Sequence, residues 1–332
     1  MSVLIAILMF FMPAEVNIGE VIFDHVLDSY EWHFFDTDKG AVAIHLPVIV
    51  RGEESGWHVF SSARLEHGAV YEGFMIPSEG EYAGKVVEVV GGEQRRPLDI
   101  SITKNVLALM ISSLVLALIV LAAARWYRKH DVEKEAPSGI AAFVEPIVMI
   151  VHEMARENIG EEDYRRYSPY LCTAFCFIIL NNYLGIVPFF PGGANLTGNI
   201  AVTLVLALCT FFTVNLTATK HYYKEIFWPD VPAFLKPIMP VIEVFSAITK
   251  PISLTIRLFA NMLAGHILIL SLVCIIFIMY EFGPVMFGSM TFISVLFGFF
   301  MDLLECLVAF IQAYVFTMLS SIYIGLARIK EE

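Results

Sequence analysis

The chain has 332 residues, 58% of them hydrophobic and only 16% charged, with a mean hydropathy of +0.71. Soluble domains run nearer about 45–50% apolar and about 25% charged, so the composition excludes an ordinary soluble globule and points to a polytopic membrane protein. The formal charge is −12, and between Pro13 and Asp99 16 acidic residues stand against 6 basic ones. That balance argues against a nucleic-acid partner, because phosphate binding needs a basic surface.

Residues 3–12, VLIAILMFFM, are apolar but too short to cross a hydrocarbon core of about 30 Å. With Pro13 and Ala14 after them, residues 1–14 resemble a signal-peptide core that lacks the usual basic start. Residues 15–100 are then an acidic extracytoplasmic segment. Within it AVAIHLPVIV, GWHVFSSARL and GKVVEVVGG are β-branched or alternating runs divided by glycines, which predicts a small β-rich extramembrane region. FDTDKG predicts a turn. DHVLDSYEWHFF carries His25, Asp28, Glu31 and His33, whose spacing is not that of tight metal ligands and reads as solvated surface.

The first span is residues 105–124. Arg125, Arg128 and Lys129 come directly after it and assign that end to the cytoplasm by the positive-inside rule. In residues 139–159, Phe143, Ile147, Ile150, Val151 and Met154 recur at helical spacing among charges, which predicts an amphipathic helix lying along the membrane surface. Spans two and three cover 168–187 and 199–219, with PFFPGG turning between them. Asn181, Asn182 and Asn215 lie inside these spans and read as helix–helix glue or as channel lining. KHYYKEIFWPDVP brings the chain back along the cytoplasmic side.

Two apolar runs complete the chain, Pro237 to Tyr280 and Val285 to Ala327. Each holds about 43 residues and as a helix reaches roughly 65 Å, twice the hydrocarbon thickness, so each must tilt steeply, bend or break. FGPVMFG makes the turn between them. The expected fold is an all-α polytopic membrane protein. It has about five spanning or embedded helices, including a long tilted C-terminal hairpin, plus the amphipathic surface helix and the β-rich N-terminal segment. Residues 101–332 form the membrane domain. Cys172, Cys176, Cys209, Cys274 and Cys306 all lie in apolar segments and read as small hydrophobes packed between helices.

Ionisable residues inside a membrane are expensive and usually functional. The first arm of the hairpin carries Glu243, Lys250, Arg257 and His266; the second carries Asp302, Glu305 and Gln312. In an antiparallel hairpin, facing residues share a midpoint at the turn. The midpoint of Arg257 and Gln312, and that of His266 and Glu305, both fall within half a residue of Val285, inside FGPVMFG. One register therefore puts Arg257 near Gln312 and, about two and a half turns further toward the outer face, His266 opposite Glu305. A histidine beside a carboxylate can take and pass protons near neutral pH. Asn261 lies one turn from Arg257 on the same face. Toward the cytoplasm, Ser253, Lys250, Thr249, Ser246 and Glu243 make a second polar track. The two tracks meet at an arginine that sits about 20 residues from either end of its run, too deep to snorkel easily.

At PISLTIRLFANMLAGHI and FIQAYVFTMLSSIYI the sequence resembles subunit a of the F-type ATP synthase, the membrane stator of a proton-driven rotor. Pro251, Ser253, Arg257, Leu258, Phe259, Asn261, Met262 and Gly265 carry the likeness on the first arm, Gln312 and Ala313 on the second, and NNYLGIVP is similar to the family's turn after an earlier span. The resemblance covers about residues 100–330 and implies a bacterial inner-membrane subunit with a cytoplasmic C-terminus. Its partners would be the c-subunit rotor ring, the b-subunit peripheral stalk and the lipid bilayer, and the chain itself would need no cofactor and catalyse no reaction. Arg257 would face the rotor carboxylate and separate two half-channels. Many members carry an acidic residue where His266 stands and a histidine where Glu305 stands, so here the pair is exchanged. The pair favours H⁺ over Na⁺ as the ion, since imidazole is a poor sodium ligand. Two rival readings are a self-contained secondary transporter, against which the lack of paired halves counts, and a structural membrane anchor.

Overall fold

The computed structural model describes residues 28–329 apart from 38–39, 53–55, 78–79, 92, 132–133, 188–191, 230, 233–234 and 281. Residues 1–14, His25 and most of the PFFPGG turn lie outside the described residues. The chain falls into two compact units: residues to 111 with 188–194 and 267–299, and residues 112–187, 195–266 and 300–332.

The β-rich region belongs to the first unit. β1 (Glu31–Thr37) and β2 (Gly40–His45) pair as an antiparallel hairpin, so the stretch read as solvated surface contributes a strand, and its Trp32 is buried. β3 (Pro47–Gly52) lies between β4 (Gly56–Ser61) and β8 (Leu98–Asp99); β5 (Phe74–Met75), β6 (Val87–Val90) and β7 (Glu93–Arg95) form a third sheet. GWHVFSSARL does not stay extended: after Ser61 it turns into a 3₁₀ helix, Ser62–Gly68, which sends Leu65 into the core. Alternation on β3 explains the packing. Val48 and Val50 point inward with Tyr30, Phe60, Leu65, Phe74 and Val86. The Tyr30 hydroxyl donates to Asp99, and burial together with that carboxylate pushes the phenol well above its ordinary range.

Among the described residues, five helices are long and apolar enough to cross a membrane. They are α1 (Lys104–Lys129), α3 (Tyr164–Ile186), α4 (Ile200–Thr217), α6 (Met239–Tyr280) and α7 (Pro284–Arg328). α2 (Ile140–Ile159) is the amphipathic helix. α5 (Lys220–Phe227) is a short helix where the sequence suggests only a return loop; Thr219 caps it, accepting from the Tyr222 N–H at 3.3 Å. The two apolar runs become unbroken helices of 42 and 45 residues, the first carrying Pro251 within it. Between them Gly283 takes a φ of +103°, open to a residue without a Cβ, and Pro284 opens α7 where a missing N–H costs nothing.

The second unit is built around one apolar core, with Val151 and Ala155 from α2, Leu171, Phe175 and Ile178 from α3, Ala207 and Val214 from α4, Leu254 and Leu258 from α6, and Ala313, Phe316 and Ile324 from α7. Hydroxyls and amides tie the helices together. Tyr170 meets Thr210 at 2.7 Å and Thr210 meets Ser320 at 3.2 Å, while the Asn158 amide donates to Ser321 at 2.9 Å. Arg328 pairs with Asp163 at 2.8 Å. Not all five cysteines pack between helices, as the sequence suggests they do. Cys274 is buried and Cys172 and Cys176 are half-buried, but Cys209 and Cys306 are exposed on outer helix faces. A surface meant for lipid is as apolar as the space between helices, so composition cannot separate the two.

Candidate functional site

One flank of α6 is core. Leu254, Leu258 and Met262, four residues apart, are buried. The polar residues occupy a different flank. Ser253, Arg257 and Asn261 are exposed, and Glu243, Ser246 and Lys250 are half-buried. No hydrogen bond or ion pair to Arg257 occurs among the described residues, including from Gln312, which is buried on α7. A guanidinium midway along an apolar helix is thus turned outward, away from its own chain.

His266 and Glu305 come together within the second unit, both buried, with Nδ1 2.7 Å from Oε1. The ring's other contacts are all acceptors. Nδ1 lies 3.1 Å from the Met262 carbonyl oxygen, and Nε2 lies 3.3 Å from the Gly185 carbonyl oxygen. A carbonyl oxygen only accepts, so whichever ring nitrogen carries the hydrogen can donate to its carbonyl, and Glu305 stands beside Nδ1 as a further acceptor. The carboxylate oxygen lies off the axis of the Nδ1–H, and neither Glu305 oxygen receives an aligned hydrogen bond among the described residues. Its acceptor capacity is open to a proton. Nδ1 is the ring nitrogen that stands nearest the carboxyl.

The third wall of this site is α3, a contribution that the sequence alone does not announce. Gly185 supplies the carbonyl for His266, and one turn earlier the fully buried Asn182 donates to the Ala309 carbonyl at 3.0 Å, one turn along α7 from Glu305. Asn182 is thus interhelical glue, whereas Asn181 and Asn215 donate to carbonyls of their own helices, at 2.8 Å each. The signal that points to this wall is the pair of amides before Gly185 in NNYLGIVP.

A second polar feature lies around Lys250. A cavity of about 20 Å³, room for roughly one water, is lined by Thr210, Asn215, Tyr222, Lys250 and Tyr323 among others. The Lys250 ammonium stands 5.2 Å from the Tyr323 ring centroid.

Fold and site together define a multi-pass membrane protein with a buried acid–base pair and an outward-facing arginine on one long helix. The family described as "ATP synthase A chain" matches residues 107–325. The chain belongs to that family. It is similar to ATP synthase subunit a 2 of Prosthecochloris aestuarii, 43% identical over 248 residues that cover 73% of this chain and 72% of the relative. It is also similar to ATP synthase subunit a of Pelodictyon phaeoclathratiforme, 39% over 303 residues covering 89% and 82%, and of Myxococcus xanthus, 41% over 237 residues covering 69% and 74%. A domain of unknown function matches residues 21–100. As a member of this family the chain works in a complex with other Fo subunits.

Proposed function

We propose that this chain is the proton-translocating stator subunit of an F-type ATP synthase, and that it catalyses no bond-making itself. The observation that carries the reading is helix α6, whose buried His266 meets Glu305 of α7 and which, two and a half turns away, bears an exposed Arg257. A charged side chain near the bilayer centre costs about 2.5–3.5 kcal/mol or more. A carboxylate on the c-subunit rotor ring would remove that cost, and the arginine in turn would favour the ionised form of the carboxylate. Arginine suits the role because it keeps its proton throughout the cycle.

In this reading His266 and Glu305 hand protons between the outer side and the ring. On the cytoplasmic side Ser253, Lys250, Ser246 and Glu243, with the small cavity at Lys250, form the other half-channel. Asn261 and Gln312 line the meeting point with Arg257. Arg125, Arg128 and Lys129 at the end of α1 support a cytoplasmic position for that end by the positive-inside rule. Five crossings then leave residues 15–100 outside the inner membrane of a bacterium, residues 101–332 as the membrane domain, and the C-terminus inside. The b-subunit stalk is the second protein partner.

The test is ATP-driven acidification of vesicles holding the assembled complex. Arg257→Ala is expected to abolish pumping while assembly persists, and Arg257→Lys to fail as well, because lysine lacks the planar fork and can lose its proton. Normal pumping by Arg257→Ala would sink the reading and leave the structural-anchor alternative.

A further inference from the structure

The sheet formed by β4, β3 and β8 has two apolar faces, and only one of them is core. Directly paired residues of an antiparallel sheet point to the same side. Ile49 pairs with Val59, and Arg51 with both Trp57 and Leu98. The Ile100 N–H donates to the Ile49 carbonyl at 3.0 Å and carries the register one step further. Ile49, Arg51, Trp57, Val59, Leu98 and Ile100 therefore share the face opposite Val48, Val50 and Phe60. Val59 is 70% exposed, and Trp57, Leu98 and Ile100 are each more than half exposed. A contiguous apolar face of this kind marks an interface.

We propose that this face seats in the headgroup–acyl boundary of the bilayer, so that the β-rich region is a collar gripping the head of α1. The first argument is continuity. Ile100 stands four residues before Lys104, the first residue of α1, and α1 is a membrane span. The second is rigidity at the junction. The Lys104 N–H donates to the Ser29 carbonyl at 2.9 Å, and the Ile102 N–H to the Pro47 carbonyl at 3.2 Å. The Thr103 hydroxyl and the Asn105 N–H both donate to the Asp28 carboxylate, at 2.8 and 3.0 Å. A sheet fixed to the helix head in this way is held at the depth where α1 leaves the hydrocarbon. The third is chemistry. The face joins an exposed tryptophan and aliphatic side chains to one guanidinium, Arg51, which lies 5.9 Å from the Trp57 ring centroid. Tryptophan and arginine with apolar stems suit the interfacial layer, where phosphates meet acyl chains. No carboxylate stands at the paired positions of this face among the described residues, although the region as a whole is acidic; Asp99 points to the other side, onto Tyr30. The proposal rests on α1 crossing the membrane and not on the proton-transfer reading.

The test uses the assembled complex in vesicles of phosphatidylcholine and phosphatidylglycerol, with the native cysteines replaced and a nitroxide attached at Val59→Cys or Leu98→Cys. Lys85→Cys, on an exposed turn outside the sheet, is the control. The ratio of oxygen to nickel-chelate collision rates is expected to rise several-fold at Val59 and Leu98 over Lys85. A ratio equal to the control would mean that the face meets water. Suppression of both collisions would mean that a protein covers it. Either result overturns the proposal, and neither bears on proton pumping. If the cysteine variants do not assemble, brominated phospholipid supplies the second readout. In a chain with Trp32, Trp126 and Trp228 changed to Phe, it is expected to quench most of the Trp57 emission, and unquenched emission overturns the proposal.

Discussion

Gly265 lies where any side chain would press on the Glu305 carboxylate: a Cβ at residue 265 would sit 3.0 Å from Oε1 and 3.4 Å from Cδ. The glycine precedes His266, so the absence of one methyl lets Glu305 reach the surface of α6 beside the imidazole. Gly265→Ala should push the carboxylate off by a few tenths of an ångström. A misplacement of about 1 Å can cost about 10²-fold, so a smaller one is expected to slow proton flux roughly 3- to 10-fold. Helix propensity favours alanine over glycine by about 1 kcal/mol, so assembly should not suffer. Flux equal to wild type in Gly265→Ala vesicles would show that the close approach is not needed.

The exposed polar flank of α6 gives a second outcome. Ser253 is exposed and Leu258 is buried in the helix core. Ser253→Cys is expected to react with a membrane-impermeant thiol reagent added from the cytoplasmic side, and Leu258→Cys to stay unmodified. Equal silence at both positions would remove the cytoplasmic half-channel from this flank.

Much of this arrangement is legible in the sequence because it rests on short-range rules. Apolar run lengths place the five helices to within a few residues, and the shared midpoint of two polar pairs sets the register that brings His266 to Glu305. The parts that are not legible depend on contacts far apart in sequence. Asp28 is at the surface, as the sequence suggests, but the hydrogen bonds it takes from residues 75 and 77 positions later are not readable there. Gly185 looks like part of a turn, yet its carbonyl holds His266 across 81 residues. The outward faces of Cys209 and Cys306 are hidden because lipid and protein interior select the same residue types.

A third outcome concerns the packing that supports the site. A Cβ on Gly325 of α7 would stand 2.1 Å from the Asn158 carbonyl oxygen of α2, a backbone atom that cannot swing aside. Overpacking typically costs about 1–3 kcal/mol, and a backbone clash belongs at or above the top of that range. Gly325→Ala is expected to part the two helices, break the Asn158–Ser321 hydrogen bond and lower the thermal midpoint of the solubilised complex. An unchanged midpoint with unchanged yield would mean that α2 does not pack against α7 in the membrane.

The fourth outcome tests whether His266 and Glu305 act as one unit. The two meet at 2.7 Å, both buried, and the ring's remaining bonds all go to carbonyls. His266→Glu alone sets two carboxyl groups against each other, and Glu305→His alone sets two imidazoles, so each single exchange should cut pumping by an order of magnitude or more. The double exchange restores one acid and one base at the same separation. It loses the Gly185 carbonyl as an anchor for a ring nitrogen, because a carboxylate cannot donate there, so recovery should be partial. Partial recovery is non-additive coupling, which contacting residues show and distant ones do not. The measurement is the pumping rate in vesicles for the wild type, both single exchanges and the double. Strictly additive losses, with the double exchange worst of all, would mean that the proton does not pass through this pair as a unit.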